Sequence, residues 1–240
     1  YRASDRGLIE LKEKVSKELE FLDQPDGIEK LRISKKEIED QLNSLALNLS
    51  KQRRLAAVKL SKKITNELSE LGMVGSLVDV RCTEVTDAVV KFGPDGVDRV
   101  EIFISTSKGG VLRPVQEVAS GGELARIFLA VKKILGETGH SGALVFDEID
   151  TGVSGKTARV VGEKLREISK DVQVICITHL PQVASLADTH IVVERDSRGG
   201  RTTEIRVLAE KERVDEVARM IAGHKITESA RASAIELMRS

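Results

Sequence analysis

The chain has 240 residues, room for one sizeable domain plus an extension, and its 38 basic and 38 acidic residues cancel, which excludes a global field drawing it onto nucleic acid or a membrane. Aromatic residues are scarce (five Phe, one Tyr, no Trp) while 32% of residues are charged, the balance of long helices. No apolar run reaches the length of a membrane span, no signal-peptide pattern opens the chain, and a start at Tyr1 rather than Met points to a piece of a longer protein.

Residues 1–72 read as helix, interrupted at Pro25-Asp26-Gly27. Leu8, Leu11, Val15, Leu19 and Leu22 step by three or four before the break; Ile28, Leu31, Ile38, Leu42, Leu45 and Leu49, then Leu60, Ile64, Leu68 and Leu71, follow it. A narrow apolar seam on a charged rod is the pattern of a coiled coil, and its register slips around Gln52 to Ala56. The basic cluster Lys51, Arg53, Arg54, Lys59, Lys62, Lys63 reads as a solvated face of that coil rather than a DNA contact.

From Gly72 the texture changes, which divides the chain into an arm, 1–72, and a lobe, 73–240. Val78, Val80 and Cys82, then Val100, Ile102 and Ile104, alternate with other residues around a turn at Gly93-Pro94-Asp95-Gly96, predicting antiparallel strands. An amphipathic helix follows from Ser120-Gly121-Gly122, with Leu124, Ile127, Phe128, Val131, Ile134 and Leu135 on one face. Apolar strands at 143–146 and 172–177 flank a helix over 156–168, the alternation of a parallel sheet covered on both faces. A strand at 189–193, a hairpin across Gly199-Gly200 and a final helix pair complete the predicted elements. Cys82 and Cys176 lie in apolar strands, as buried free thiols of a reducing cytosol do.

Three stretches carry chemistry. Ser120 suits a helix N-cap and Glu123 its first turn, but Gly121 and Gly122 cost order, and a bare backbone at a helix N-terminus is what lets phosphate come close. The second stretch is the strand end Asp147-Glu148, two adjacent carboxylates that repel unless a cation or a reacting water uses them: one can help hold Mg²⁺ near a nucleotide, the other orient and deprotonate an attacking water. The third, His179, ends the other buried strand at the same edge, where it can bond a γ-phosphate or the attacking water; His140, His190 and His224 read as structural. Gly155-Lys156-Thr157 mimics the end of a phosphate-binding loop, but Asp150 stands where its first glycine belongs, so it reads as a helix start.

In this order, Ser120-Gly121-Gly122-Glu123, Asp147-Glu148 with Ile149-Asp150, and His179 resemble the signature, Walker B with D-loop, and H-loop of the second half of an ABC-type ATPase head. A coil entering just before them resembles the SMC-like branch. STSKGGVLRPVQEVASGGELARI, FDEIDTGVSGKTA, THLPQVASLADTHIVV and ARMIAGHKITESARASAIELM are similar to the RecN family of bacterial DNA-repair proteins. The resemblance implies an α/β head lobe with a mainly parallel sheet and an antiparallel coiled-coil arm. It implies ATP and Mg²⁺ as cofactors, with Glu148 and His179 catalytic, Ser120, Gly121, Gly122, Glu123 and Asp150 on ATP, and Asp147 on the metal. It implies as partners DNA, the N-terminal half with the missing phosphate-binding loop, and a second head whose nucleotide the Ser-Gly-Gly stretch closes upon, in a cytoplasmic, nucleoid-associated protein. Two other readings stand beside it, a transporter-type nucleotide-binding subunit and a non-enzymatic coiled-coil scaffold.

Overall fold

A computed structural model describes residues 5–22, 27–85, 93–118, 120–136, 142–195, 203–223 and 225–239. Pro25-Asp26, the Gly199-Gly200 turn, His140 and His224 lie outside the described residues. The chain forms two compact units, Tyr1–Leu55 with Cys82–Arg99, and Ala56–Arg81 with Val100–Ser240.

In the first unit, α1 (Asp5–Leu22) and the opening two-thirds of α2 (Gly27–Glu70) are charged helices whose seam stands open. Leu8, Leu11, Ile28, Leu31 and Leu42, part of the stripe that a coiled coil would bury, are all exposed. Farther along α2, Ser50 is buried and donates to Asp98 Oδ1 at 2.7 Å. Arg53 Nη1 donates to Asp95 O at 2.7 Å and sits 3.6 Å from Asp98 Oδ2, so one member of the basic cluster is held internally. The expected turn is present: Gly93 and Gly96 exchange backbone hydrogen bonds, and Gly96 has φ +89° beside Leu49.

The second unit starts where α2 becomes apolar on its inner face, and Ile64, Leu68 and Leu71 are fully buried. Ser61 Oγ and Thr65 Oγ1 accept from Val80 N and Val78 N, satisfying donors of β1 (Leu77–Glu84). β1 pairs with β2 (Asp98–Ser105), and β2 pairs antiparallel with β3 (Arg113–Pro114). α3 (Gly121–Leu135) precedes β4 (Ala143–Phe146), which α4 (Gly155–Ile168) connects to the parallel strand β5 (Gln173–Cys176). After the short α5 (Pro181–Ala184), β6 (Ile191–Arg195) pairs antiparallel with β7 (Thr203–Val207). α6 (Glu210–Ala222) and α7 (Glu228–Arg239) close around Val217, Ala218, Ala230 and Ala234.

The lobe is α/β, as the sequence implies. Among the described strands β4 and β5 pair parallel, while β2–β3 and β6–β7 pair antiparallel. On the parallel pair Phe146 is buried on one face, and Val145, Ile175 and Ile177 are 60%, 46% and 57% exposed on the other.

Candidate functional site

The register of the parallel pair builds the site. Phe146 stands opposite Cys176, and Ile177 N donates to Phe146 O at 2.9 Å, so both strands finish at one level. Asp147-Glu148 and Thr178-His179 therefore leave the sheet at the same carboxyl edge, where open α/β sheets bind ligands. Asp147 and Glu148 are exposed, while the next two residues are anchors: Ile149 is fully buried and Asp150 is 3% exposed. Glu148 has φ +58°, the sole positive φ at a non-glycine among the described residues, a conformation that costs about 1–3 kcal/mol and concentrates at functional sites.

Asp150 faces inward. Its Oδ2 accepts from Thr178 Oγ1 at 2.5 Å and from His179 N at 3.0 Å, and stands 3.2 Å from His179 Nδ1. The His179 side chain is 74% exposed.

The same loop receives the mouth of α3. Ser120 caps that helix, its Oγ accepting from Glu123 N, with Glu123 in the first turn. A Cβ on Gly121 would lie 2.6 Å from Glu148 Oε2. One on Gly122 would lie 2.9 Å from both Glu148 O and Thr151 Cβ, and 3.2 Å from Thr151 O. The glycines thus let α3 pack on its own chain's carboxylate loop, a cause that the phosphate argument did not contain. Glu148 is brought to the positive end of that helix, where a carboxylate is favoured.

Sequence reasoning missed Arg126. It lies on α3 only 6% exposed, and its Nη1 donates to Ile149 O at 3.2 Å and Thr151 O at 2.7 Å. Burial pulls its pKa down from the ordinary arginine value, and the charge of Glu123 opposes that. The only sequence signal was its place one turn after Glu123 on a helix whose other face is apolar.

The mimic of a phosphate loop has a structural job. Gly155 (φ +53°) starts α4 with Lys156 exposed, and Thr157 Cγ2 lies 2.7 Å from where a Cβ on Gly72 would be. Both cysteines are free and half-buried; burial first, then the charges of Asp150 and Asp147, push Cys176 up to about 12, which makes it inert at neutral pH. No three His, Cys, Asp or Glu among the described residues gather as a metal cage. An exposed single carboxylate such as Asp147 suits Mg²⁺, which takes one or two carboxylates and completes its shell with phosphates and water.

No protein-family model matches the chain. It is 39% identical over 242 residues to the DNA repair protein RecN of Halalkalibacterium halodurans, covering 99% of this chain and 42% of that protein. It is 37% identical over 254 residues to the DNA repair protein RecN of Bacillus subtilis, covering 100% and 44%. The chain thus spans less than half the length of these relatives. A crystal structure of the Smc head domain with a coiled coil and joint, derived from Pyrococcus yayanosii, matches with TM-score 0.55 at 20% identity, over 83% of this chain and 36% of that one. The Smc head domain with an extended coiled coil from Pyrococcus furiosus, bound to the C-terminal domain of ScpA, matches with TM-score 0.52 at 20% identity, over 88% and 50%. These neighbours establish the α/β head-type fold.

Proposed function

The chain is RecN-like throughout its length, and from that premise we propose that it forms the signature-bearing lobe and descending arm of a DNA-repair ATPase. Residues 1–72 act as the arm and 73–240 as the lobe; the exposed apolar seam of α1 and of the first two-thirds of α2 supports the first assignment, since it calls for a second helix, while the end of α2 roots the arm in the lobe's core. The phosphate-binding loop comes from a segment outside this chain, the N-terminal half. The exposed Val145, Ile175 and Ile177 on the β4–β5 pair are the apolar face that such a segment would cover.

ATP binds between that segment and the carboxyl edge of β4 and β5, and a second head closes on it with its own Ser120, Gly121, Gly122 and Glu123. Asp147 holds Mg²⁺, which neutralises charge on the phosphates when bound. Glu148 orients a water and accepts its proton as the oxygen attacks the γ-phosphorus; the bond to the β–γ bridging oxygen breaks, leaving ADP and phosphate. In the structure the Glu148 carboxylate rests against Gly121 of the same chain, so on this reading it leaves the helix mouth when heads close. DNA as partner and a cytoplasmic, nucleoid-associated location follow from the relatives' role; no described helix is long and apolar enough to cross a membrane.

The observation that carries the reading is Glu148: exposed, held at φ +58° on a loop anchored by two buried residues. In the full-length protein, Glu148→Gln keeps the shape and removes the proton acceptor. Turnover should fall by about 10² to 10⁴ while ATP binding persists and head dimers accumulate, read by light scattering. Asp147→Asn should instead weaken ATP-driven closure. Turnover at the parental rate in Glu148→Gln, or binding without accumulated dimers, removes Glu148 from the base role.

A further inference from the structure

Helix α3 meets the turn that carries Glu148 twice on one face. A Cβ on Gly122 would touch Glu148 O and Thr151, and Arg126, one helical turn farther on, donates from Nη1 to Ile149 O at 3.2 Å and Thr151 O at 2.7 Å. Every carbonyl of the turn, residues 148–151, is thereby bonded. Glu148 O accepts from Thr151 N at 2.9 Å, Asp150 O accepts from Val153 N at 3.3 Å, and the other two accept from Arg126.

Burying an arginine here is unfavourable in itself. Arg126 is 6% exposed, its bonds to the turn go to neutral carbonyls rather than to a carboxylate, and its Nε is buried without a hydrogen-bond partner among the described residues. Ile127 and Leu129 of the same helix are buried with no such penalty. Burial also separates the guanidinium from the exposed Asp147 and Glu148, so it does not act on a nucleotide directly. What its burial gains is a fixed turn. Glu148 stands at φ +58°, a conformation that persists only where the surroundings hold it. Relaxation to a negative φ would redirect the Cα–Cβ bond and carry the carboxylate to a different place.

We propose that Arg126 is a positioning residue for Glu148: its clasp on the Ile149 and Thr151 carbonyls holds the turn, and with it the left-handed backbone from which the Glu148 carboxylate projects. Arg126 thus acts through Glu148 and touches neither nucleotide nor metal. The kinetic consequence rests on the ATPase reading; the hold on the turn does not.

The test uses the full-length protein. Arg126→Met keeps a buried unbranched stem and removes both donors. Amide hydrogen exchange, read by mass spectrometry on a peptide spanning residues 147–153, should quicken by about tenfold or more, while residues 160–168 of α4 keep the parental rate. The kcat for ATP should fall by about 10-fold to 10²-fold, with KM within about threefold of the parent. In the Glu148→Gln background the same substitution should lower kcat by less than about twofold, because the carboxylate through which it acts is already gone. Exchange at the parental rate in Arg126→Met overturns the proposal. So does parental kcat, a raised KM with kcat preserved, or an equal further loss in the Glu148→Gln background. Should Arg126→Met fail to fold, Arg126→Lys supplies a shorter, weakened clasp, and the same comparisons decide. Should the parent not hydrolyse ATP, the ATPase reading falls, while the exchange rates still decide whether Arg126 holds the turn.

Discussion

Gly122 and Gly121 are neighbours with unequal freedom, and the difference lies in what each one touches. A methyl group at Gly122 meets the Glu148 carbonyl oxygen and both Cβ and O of Thr151, on a loop whose backbone Ile149 and Asp150 hold in place. A methyl at Gly121 meets only the far end of the Glu148 side chain, which can swing away. Gly122→Ala should therefore destabilise the full-length protein by about 1–3 kcal/mol, while Gly121→Ala stays within about 0.5 kcal/mol of the parent. Urea midpoints of both variants are the measurement, and equal losses would refute the packing argument. At this scale the sequence was half legible. The pattern Ser-Gly-Gly-Glu announced a helix mouth, and the cap formed as its chemistry requires. What stayed hidden was the loop that packs on it, because Glu148 and Thr151 reach the glycines through the fold and no local spacing encodes that approach. Arg126 was hidden for the same reason: an arginine on an amphipathic helix reads as solvated until two carbonyls from a distant loop are placed beside it.

Elements were more legible than contacts, since each strand and helix follows from its own periodicity. The helix expected over 156–168 forms as α4, Gly155–Ile168, and the strand expected over 143–146 forms as β4. Lys164 of α4 was not foreseen as buried, yet it is 4% exposed, bonded to Glu67 and, at 2.6 Å, to Glu70 at the end of α2. Lys133 of α3 lies 3.3 Å from Glu67 and 3.0 Å from Glu167, so the end of α2 is joined to both helices by charge. A lysine so placed is stable only because its partners come from an element nearly a hundred residues away. Lys164→Met keeps the packed stem but leaves Glu67 with Lys133 alone, and should cost about 1–3 kcal/mol at neutral pH. The hydrogen bond from Lys164, and then its charge, hold Glu70 below the usual carboxylate range. A carboxylate with a depressed folded-state pKa stabilises the fold above its unfolded pKa and loses that contribution as pH falls through the folded value. The parent should therefore lose stability on acidification over that window more steeply than Lys164→Met. Urea midpoints at neutral and mildly acidic pH check this; parallel pH curves would place the role of Lys164 in packing rather than charge.

For the molecule as a whole, what is exposed says as much as what is buried. The sequence reading expected cover on both faces of the parallel pair because apolar strands demand it, and that demand is physical even though the described residues do not meet it. Val145, Ile175 and Ile177 on the sheet, and Leu8, Leu11 and Leu31 on the helices, form exposed apolar runs of the kind that mark interaction surfaces. In the proposed function they are covered by the part of the RecN relatives that this chain does not span. On the proposed reading the nucleotide is cradled by that other sequence, because the one stretch here that mimics a phosphate loop is used up in structure: Thr157 packs on Gly72, and three carboxylates precede Gly155 at 147, 148 and 150. The chain expressed alone should accordingly show no measurable heat on titration with Mg-ATP, and Lys156→Ala should change nothing. Adding the separately expressed N-terminal part of the full-length protein should create micromolar binding, and Lys156→Ala should leave that binding intact as well. Binding by the chain alone that disappears in Lys156→Ala would mean that α4 begins at a true phosphate site after all. Binding by the chain alone that survives it but is lost on substituting Ser120 would mean that the helix mouth holds nucleotide without a second head.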